Sequence, residues 1–354
     1  MTDSGNEPRA VRAPTTDGPG DAPDNWYAME MSGPGQPLQR VWRDRLPKPG
    51  PGQVRIRVAA CGVCRTDLHI LDGELAWPGH AVVPGHEIVG RISALGKGVI
   101  GLAVGQRVGV PWLGWTCGEC EHCRAGRENL CALAQFTGWQ REGGYAEHAL
   151  ADARYVFEIP PIYDDAQAAP LLCAGLIGWR AYAMAGPQAQ RIGLYSIGAA
   201  AHLIAQVAVH QGREVYAYTR PGDVAAQALA LSLGAVWAGG SDQQAPRMLD
   251  AALLFAPVGA LVPTALRAIR PGGTVVCAGI HMSDIPAFPY AWLWGERRIV
   301  SVANLTRQDG ETFLRVAGSM PLQVSTHLYP LGQANQALED LRAGRFTGAA
   351  VLMC

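Results

Sequence analysis

The chain has 354 residues, of which 49% are hydrophobic and 17% charged, and its formal net charge is −1. Such a composition can bury large cores, so a wholly disordered chain is excluded, and the length predicts two domains. The near-zero net charge supplies no field to hold a polyanion, so we expect no nucleic-acid partner. We also expect no membrane partner, because no run approaches the roughly 18 apolar residues of a membrane helix.

The N-terminal segment, residues 1–24, is rich in Pro, Gly, Asp and Thr and has no apolar run. It fits neither a signal peptide nor a membrane anchor, so we expect a disordered extension of a cytoplasmic protein. From residue 26 to about residue 170, short apolar runs alternate with turns rich in Gly and Pro. Alternating apolar and charged residues indicate a mostly β domain, with strands predicted at residues 54–58, 87–92 and 107–110.

Four of the nine cysteines fall within fifteen residues, at Cys117, Cys120, Cys123 and Cys131. The odd cysteine count and the lack of a secretory signal favour metal ligation over disulfide bonds. Short Cys-x-x-Cys spacings let one loop deliver thiolates to a tetrahedral zinc ion, and four thiolates leave no open coordination position. The spacing therefore predicts a structural zinc site, with free cysteines or disulfides as the less favoured alternative.

Three further metal-ligating residues, Cys64, His86 and Cys173, are scattered along the chain. Each alone is more often a core residue or a hydrogen-bonded side chain. Together they would supply two sulfurs and one nitrogen to a second zinc ion and leave a fourth position for substrate. Two thiolates balance the 2+ charge, and the open site still polarises a bound alcohol or carbonyl.

After residue 170, apolar runs alternate with helical segments, which is typical of parallel βαβ units and a doubly wound sheet. The predicted strands are residues 193–197, 214–219, 253–255, 273–278 and 299–302, and the predicted helices are residues 199–210, 225–233 and 261–269. A last helix at residues 331–343 and a strand at residues 348–353 would return the chain to the first domain.

The turn after the first strand of this half reads Ser196-Ile-Gly-Ala-Ala-Ala201. A dinucleotide-binding fingerprint would read G-x-G-x-x-G or G-x-G-x-x-A there. Only the middle glycine is present, at the position that lets the backbone approach the pyrophosphate, and the start of the following helix can still bind phosphate. A generic strand–turn–helix is the alternative. The candidate cofactor contacts are Ser196, Gly198, Ala199, Ala200 and Gly279.

These motifs occur in a specific order. It runs from Cys64-Arg-Thr-Asp-Leu-His69 through Gly85-His-Glu87, the four-cysteine loop and Leu172-Cys-Ala-Gly175 to the nucleotide fold. In this order the chain, from about residue 26 to residue 354, resembles the zinc-containing alcohol dehydrogenases of the medium-chain dehydrogenase/reductase superfamily. The resemblance implies an α/β protein with a GroES-like, mostly β catalytic domain, residues 25–175 and 305–354. A Rossmann domain with a doubly wound parallel sheet, residues 176–304, would be inserted between them.

Residue by residue, the resemblance assigns Cys64, His86 and Cys173 to a catalytic zinc ion. With the four-cysteine loop, this implies two zinc ions per chain. Asp67 would hold the far nitrogen of His86, and Glu87 would lie behind the metal.

A proton relay and a phosphate contact are implied as well. Thr66 would take the proton of the alcohol hydroxyl and pass it through the nicotinamide ribose hydroxyl to His69 and solvent. Arg65 would contact the cofactor pyrophosphate. Three departures from the family pattern weaken cofactor contacts. Ser196 replaces the usual first glycine of the turn, and Ile177 stands where many relatives carry a Thr near the nicotinamide. The C-terminal segment reads Gly348-Ala-Ala350, where relatives often place a basic residue near the phosphates.

The choice of cofactor depends on the end of the second strand of the nucleotide fold. An Asp or Glu there would bind the ribose hydroxyls of NAD, but this chain has Thr219 and Arg220. A hydroxyl and a guanidinium suit a 2′-phosphate, so NADP is favoured over NAD. The alternative is that Arg220 is only solvated and that NAD binds without its usual carboxylate.

The substrate pocket is expected to contain Trp112, with Leu71, Leu75, Trp77 and Trp292 as further candidates, although core packing is the favoured role of Trp77 and Trp292. An apolar pocket with no charged anchor favours an uncharged small molecule. The resemblance implies hydride transfer between a nicotinamide cofactor and such a substrate, which is a primary or secondary alcohol, an aldehyde or a ketone. The alternatives are a polyol dehydrogenase and a non-catalytic nucleotide- and zinc-binding sensor. The resemblance also implies a homo-oligomer, a dimer or tetramer.

Overall fold

The computed structural model describes residues 25–354, so the extension predicted for residues 1–24 lies outside the described residues. The first half of the described chain consists mainly of strands. Its elements are β1 (Trp26–Glu30), β2 (Gln39–Arg43), β3 (Gln53–Val63), α1 (Arg65–Leu71), β4 (Ile88–Leu95), β5 (Arg107–Val110), β6 (Leu113–Trp115), α2 (Glu121–Arg124), β7 (Gln135–Phe136), β8 (His148–Asp152), β9 (Phe157–Glu158), α3 (Asp165–Ala168) and α4 (Ala174–Met184).

Strands and helices alternate in the second half. Its elements are β10 (Arg191–Tyr195), α5 (Ala199–His210), β11 (Glu214–Thr219), α6 (Val224–Ser232), β12 (Trp237–Gly240), β13 (Leu249–Leu254), α7 (Leu261–Ala268), β14 (Ile269–Cys277), α8 (Tyr290–Leu293), β15 (Arg298–Ser301), α9 (Arg307–Ser319), β16 (Thr326–Pro330), α10 (Ala334–Ala343) and β17 (Ala349–Met353). Short 3₁₀ helices lie at Glu128–Leu130, Ala153–Tyr155, Ala169–Leu172 and Leu331–Gln333.

Strand β3 lies at the centre of the first sheet, whose order is β16-β17-β3-β4-β5-β9, with β8 also paired to β3. The strands predicted at residues 54–58, 87–92 and 107–110 are confirmed as β3, β4 and β5. Strand β3 extends beyond the predicted limit, to Val63. The prediction stopped early because the last residues of the strand are all buried and therefore do not alternate between polar and apolar types. Strand β17 pairs antiparallel with β3, so the C-terminal strand joins the sheet built by the N-terminal half.

The second sheet is parallel throughout and has the order β12-β11-β10-β13-β14-β15. This is a doubly wound order. The chain adds strands on one side of β10 and then on the other, so the strand order reverses between β10 and β13. Ligands of such sheets bind at the carboxyl ends of the strands beside that reversal. The turn that begins at Ser196 follows β10, so the sheet places the predicted cofactor turn at this crevice.

The boundaries of several predicted elements differ from the structure. The strand predicted at residues 193–197 ends at Tyr195, because Ser196 has a φ of 79° and leaves the extended conformation. The helix predicted at residues 331–343 begins as a 3₁₀ turn, and its α-helical part is α10. Helix α9 was not predicted, although Thr306 and Asp309 form a capping box that marks its start.

Helix α4 connects the two halves and begins directly after Cys173. It packs closely on α5 and α9, because Gly178 faces Ile204 and Gly175 faces the ring of Phe313 without space for a β-carbon. Phe313 is fully buried. These two glycines fix the start of α4, and with it Cys173, against both halves of the protein.

Candidate active site

Cys64 lies at the junction between β3 and α1, where it is the N-cap residue of the helix. Its backbone N–H donates to Oδ2 of Asp67 at 2.8 Å, and Asp67 lies three residues into the helix. The carboxylate therefore holds the turn that directs the Cys64 sulfur out of the sheet. Asp67 is buried and also accepts hydrogen bonds from the Gly85 N–H at 3.2 Å and the Tyr145 hydroxyl at 3.1 Å.

The structure brings Cys64, His86 and Cys173 together, with Glu87 beside them. One possible ligand atom from each of the four lies within 4.8 Å of the others. The two sulfurs are 3.6 Å apart. The hydrogen bond between the two sulfurs lowers the pKa of Cys64 well below its usual range and raises the pKa of Cys173. Both cysteines could be thiolates together only with a cation between them.

His86 is 1% exposed, and neither of its ring nitrogens has a hydrogen-bond partner in the described structure. A buried unpartnered imidazole costs free energy unless something binds it. Two sulfurs and one imidazole nitrogen are the donors that zinc prefers, so the residues present fit a zinc ion. Asp67 Oδ1 lies 3.4 Å from His86 Nδ1, on the expected side but beyond ordinary hydrogen-bond length.

Glu87 is buried behind the two cysteines, and burial raises the pKa of its carboxyl well above the usual range. Its carboxylate packs against Gly62, where a β-carbon would overlap Glu87. Sequence reasoning missed Gly62, although a glycine inside a strand pattern often marks such a close approach. Glu87 can therefore occupy this position only because residue 62 of β3 is a glycine.

The four-cysteine loop forms a second cluster. The ligand atoms of Cys117, Cys120, Cys123 and Cys131 all lie within 4.8 Å of one another. The Cys117 sulfur is 3.6 Å from that of Cys131 and 3.9 Å from that of Cys123. Backbone N–H groups of Glu119 and Cys120 donate to Cys117 at 3.4 Å and lower its pKa to about 6. This set of thiols fits a tetrahedral zinc ion with no open position.

The predicted relay residues lie on α1. Thr66 is 8% exposed, and its hydroxyl lies 3.7 Å from the Cys64 sulfur. His69 is one turn further along, so the two side chains share a helix face. Nδ1 of His69 contacts Oε2 of Glu74 at 2.5 Å, and Nε2 is buried without a partner. Arg65, the predicted pyrophosphate contact, is the exposed first residue of the helix.

An aromatic wall, defined here as Trp112, Phe136 and Trp139, lies beside the first cluster. The Trp112 ring meets His86 edge-on with centroids 4.9 Å apart. Phe136 and Trp139 stack parallel to Trp112 at 5.0 and 6.2 Å. Of the three rings in this wall, the sequence prediction named only Trp112, because Phe136 and Trp139 show no spacing pattern. Trp292 instead packs under Arg267 on the second sheet's helices.

Helix α5 begins directly at the predicted cofactor turn, with Gly198 as its N-cap and Ala199 and Ala200 as its first residues. Ser196 adopts the left-handed φ of 79° that usually requires glycine. A β-carbon at Gly198 would meet nothing nearer than the Ser196 hydroxyl at 3.8 Å, so the turn is open. Gly279 approaches the backbone of Ala256 closely at the neighbouring strand end.

Comparisons with known proteins agree with this geometry. Residues 50–161 match the family described as the alcohol dehydrogenase GroES-like domain. A probable alcohol dehydrogenase AdhA of Mycobacterium tuberculosis (strain CDC 1551 / Oshkosh) is 47% identical over 324 residues, which cover 90% of this chain and 93% of the relative. The chain belongs to the zinc-containing alcohol dehydrogenases of the medium-chain dehydrogenase/reductase superfamily.

Solved structures of alcohol dehydrogenases and reductases share the fold. A thermostable alcohol dehydrogenase from Pyrobaculum aerophilum, solved with cobalt and zinc bound, has a TM-score of 0.83 and 26% identity, with 93% of this chain and 100% of that chain covered. Acetophenone reductase from Geotrichum candidum, solved with NAD, has the same TM-score and identity over 95% and 99% of the chains. The α/β fold of a GroES-like and a Rossmann domain is thus confirmed.

This alcohol dehydrogenase is an oxidoreductase that acts on alcohols and aldehydes or ketones, so the alternative of a non-catalytic sensor is wrong. Among the described residues, 25–354, no helix is both long and apolar enough to cross a membrane.

Thr219 lies at the end of β11 in this alcohol dehydrogenase, and its hydroxyl was expected to contact a 2′-phosphate of the cofactor. Its buried hydroxyl has the carbonyls of Arg220 at 3.0 Å and Gly239 at 3.3 Å as acceptors for its one proton, and it accepts from Nε2 of Gln227 at 3.0 Å. The hydroxyl is therefore satisfied within the protein. Arg220 is exposed and forms no ion pair in the part of the chain that the structure describes.

Proposed function

We propose that the enzyme is a two-zinc, NADP-preferring alcohol dehydrogenase for uncharged primary or secondary alcohols and the corresponding aldehydes or ketones. The observation that carries this proposal is the buried cluster of Cys64, His86 and Cys173 beside the aromatic wall. Its unpartnered imidazole and paired sulfurs are the donors of a catalytic zinc site with one position left for substrate.

Two zinc ions per chain follow from two separate clusters. The four-cysteine loop supplies a closed set of thiols, and Cys64, His86 and Cys173 supply an open one. A structural neighbour with 26% identity was solved with cobalt and zinc bound, which supports metal at the corresponding sites. In this assignment Glu87 lies behind the open site, and Asp67 sets the charge next to His86.

A zinc ion held by Cys64, His86 and Cys173 would supply Lewis-acid polarisation of the substrate oxygen, and a bound nicotinamide cofactor would supply the hydride chemistry. The chain's own residues then manage the proton. Thr66 accepts the proton of the alcohol hydroxyl at Oγ1, and its place beside the Cys64 sulfur supports this role. His69 exchanges a proton with solvent one helical turn away, at the edge of the site. The aromatic wall excludes water from the reacting atoms.

The cofactor assignment depends on Arg220 and on the open turn before α5. The first N–H groups of α5 and the lack of a side chain at Gly198 support pyrophosphate binding, together with Ser196, Ala199, Ala200, Gly279 and Arg65. Arg220 is exposed after β11, where a 2′-phosphate would lie, and Thr219 occupies the strand end at which NAD-binding relatives carry a carboxylate. We therefore place NADP before NAD, although the acetophenone reductase neighbour was solved with NAD.

The substrate class follows from the aromatic wall. Three stacked rings beside His86 provide an apolar surface without a charged anchor, which suits aliphatic or benzylic alcohols more than polyols. One structural neighbour is named an acetophenone reductase, and acetophenone is an aromatic ketone. That name supports the proposal that an aromatic ketone is also accepted by this enzyme. The polyol alternative would need polar groups where this enzyme has rings.

The domain limits, assembly and compartment are part of the same proposal. We place the catalytic domain at residues 25–175 and 305–354 and the Rossmann domain at residues 176–304, because each set contributes to its own sheet.

Strand β15 is an open sheet edge, and Tyr290 and Trp294 nearby are 68% and 66% exposed, which supports a homo-oligomer. All nine cysteines are free, which suits the reducing cytoplasm.

The decisive experiment measures zinc per chain and turnover of NADPH and NADH with a panel of aliphatic, benzylic and polyol substrates. We expect two zinc ions, faster turnover with NADPH, and activity on the uncharged aldehydes and alcohols. Elemental analysis that gives one zinc ion or none in fresh active protein would contradict the metal assignment. Activity confined to polyols would contradict the substrate assignment.

A further inference from the structure

A third group of metal-ligating side chains lies outside both zinc clusters. It consists of His69, Glu74 and His281, and one possible ligand atom from each lies within 4.8 Å of the others. His69 is on α1, Glu74 follows that helix, and His281 follows β14 of the parallel sheet. The group therefore lies across the gap, called the cleft below, between segments that follow β3 of one sheet and β14 of the other.

Local structure holds two of these residues in place. The Glu74 backbone N–H donates to the carbonyl of His69 at 2.9 Å, which keeps both side chains on the same side of the chain. Between them, Asp72 forms two hydrogen bonds with Arg342 at 2.6 and 2.7 Å, which ties the end of α1 to α10. Because the backbone is fixed, His69 and Glu74 lose little conformational freedom when they bind a ligand.

The third residue reaches the pair from the other sheet. The rings of His69 and His281 have centroids 4.5 Å apart at an angle of 52°. His281 is exposed, and Glu74 keeps about half of its side-chain surface, so an ion in solution can reach the group. Two imidazoles and one carboxylate are ligands that zinc and neighbouring divalent transition metals bind, with room left for water.

We propose that His69, Glu74 and His281 form a third metal site, which takes a divalent transition ion such as Zn²⁺ and inhibits the enzyme. Without a metal, Nδ1 of His69 and the Glu74 carboxylate share a hydrogen bond of 2.5 Å. A zinc ion replaces the proton of that bond and gains the His281 ring as a further ligand. The ion also joins the two sheets across the cleft.

The inhibitory effect rests on the proposed function of His69, whereas metal binding does not. An imidazole passes a proton by accepting it at one nitrogen and releasing it at the other. Nε2 of His69 is buried and free, while Nδ1 faces Glu74. A metal ion on Nδ1 blocks the release, so the relay from Thr66 stops although the catalytic cluster is untouched.

The binding test is equilibrium dialysis of the zinc-loaded enzyme against micromolar free Zn²⁺, followed by a count of zinc per chain. His281→Asn removes one ligand, and Asn tolerates the left-handed backbone of this position, where φ is 51°. His210→Asn is the matched control, because His210 is exposed and outside all three groups. We expect wild type and His210→Asn to bind one zinc ion more than His281→Asn. Glu74→Gln should show the same loss.

The inhibition test measures turnover over the same range of free Zn²⁺. Loss of a ligand should raise the inhibitory zinc concentration by at least about tenfold in His281→Asn, while turnover without added zinc stays at the wild-type rate. Equal zinc counts in wild type, His281→Asn and Glu74→Gln would overturn the site whether or not the enzyme turns over. An extra zinc ion that leaves wild-type turnover unchanged would overturn the inhibitory role.

Discussion

The sulfur atoms of Cys64 and Cys173 lie 3.6 Å apart, although 109 positions separate the two residues in the chain. Cys64 follows the central strand of one sheet, and Cys173 precedes the helix that packs against the other half. Neither residue signals a function alone. Their contact, with the unpartnered His86 beside them, supports the proposal that both bind a metal ion.

Replacement of Cys173 by alanine should remove the catalytic zinc and all measurable turnover, because the ion loses a thiolate and the site keeps excess positive charge. Zinc per chain should fall by one, and circular dichroism should stay like that of wild type. Cys277→Ala is the matched control, since Cys277 is a buried free cysteine outside the metal clusters. A Cys173→Ala protein with the full zinc content would show that this residue is not a ligand.

Gly62→Ala should destabilise the protein, because the new methyl group would overlap the buried Glu87 side chain. Overpacking of this kind costs about 1–3 kcal/mol, which corresponds to a fall in Tm of roughly 2–4 °C per kcal/mol. Gly33→Ala is the control, because a β-carbon there has no neighbour closer than 4.0 Å. Equal melting temperatures for the two variants would mean that Glu87 moves away without cost.

The four-cysteine loop could be predicted from the sequence because its ligand types and short spacings are local information, and fifteen residues contain the whole cluster. Cys64, His86 and Cys173 are far apart in the chain, so they were grouped only through the family resemblance. Helix α5 and strand β11 were predicted with their exact limits. Packing partners from distant segments were not predictable in this way.

Gly62 and the stacked rings of Phe136 and Trp139 illustrate that limit. Each depends on which surface faces it in three dimensions, and no periodicity in the chain records that choice. Thr219 is a further case. Its position at the strand end was predicted, but the direction of its hydroxyl depends on Gln227 and Gly239, which only the folded turn brings near.

Thr66→Ala should keep both zinc ions and lose roughly 10²–10⁴-fold in kcat, the usual range for acid–base catalysis. The hydroxyl is buried beside the Cys64 sulfur, and no other side-chain hydroxyl lies on the first turn of α1. Thr66→Ser retains the hydroxyl and should stay within about tenfold of wild type. Near-normal turnover of the alanine variant, measured with saturating cofactor, would show that the relay starts elsewhere.

His148 should make the protein less stable in acid. Burial, with Arg55 and Arg57 on the paired strand, lowers the pKa of His148 to about 4. The unfolded chain binds a proton near the ordinary pKa of about 6.5, whereas the folded protein does not until about pH 4. Stability therefore falls as pH drops from about 6.5 to 4. His148→Gln should flatten the Tm–pH curve in this window, and His210→Gln should leave its slope unchanged.

Arg220→Ala should lower kcat/KM for NADPH by roughly 10- to 100-fold, because one charge-assisted hydrogen bond to a 2′-phosphate contributes about 1.5–3 kcal/mol. Since Thr219 is occupied within the protein, Arg220 carries this contact without help from that hydroxyl. NADH has no phosphate there, so its kcat/KM should stay nearly unchanged. Arg315→Ala is the control, because Arg315 is exposed on α9, far along the chain from the cofactor turn. Steady-state kinetics with both cofactors decide the point: a wild type that already prefers NADH, or an equal loss with both cofactors, would show that Arg220 does not bind the phosphate.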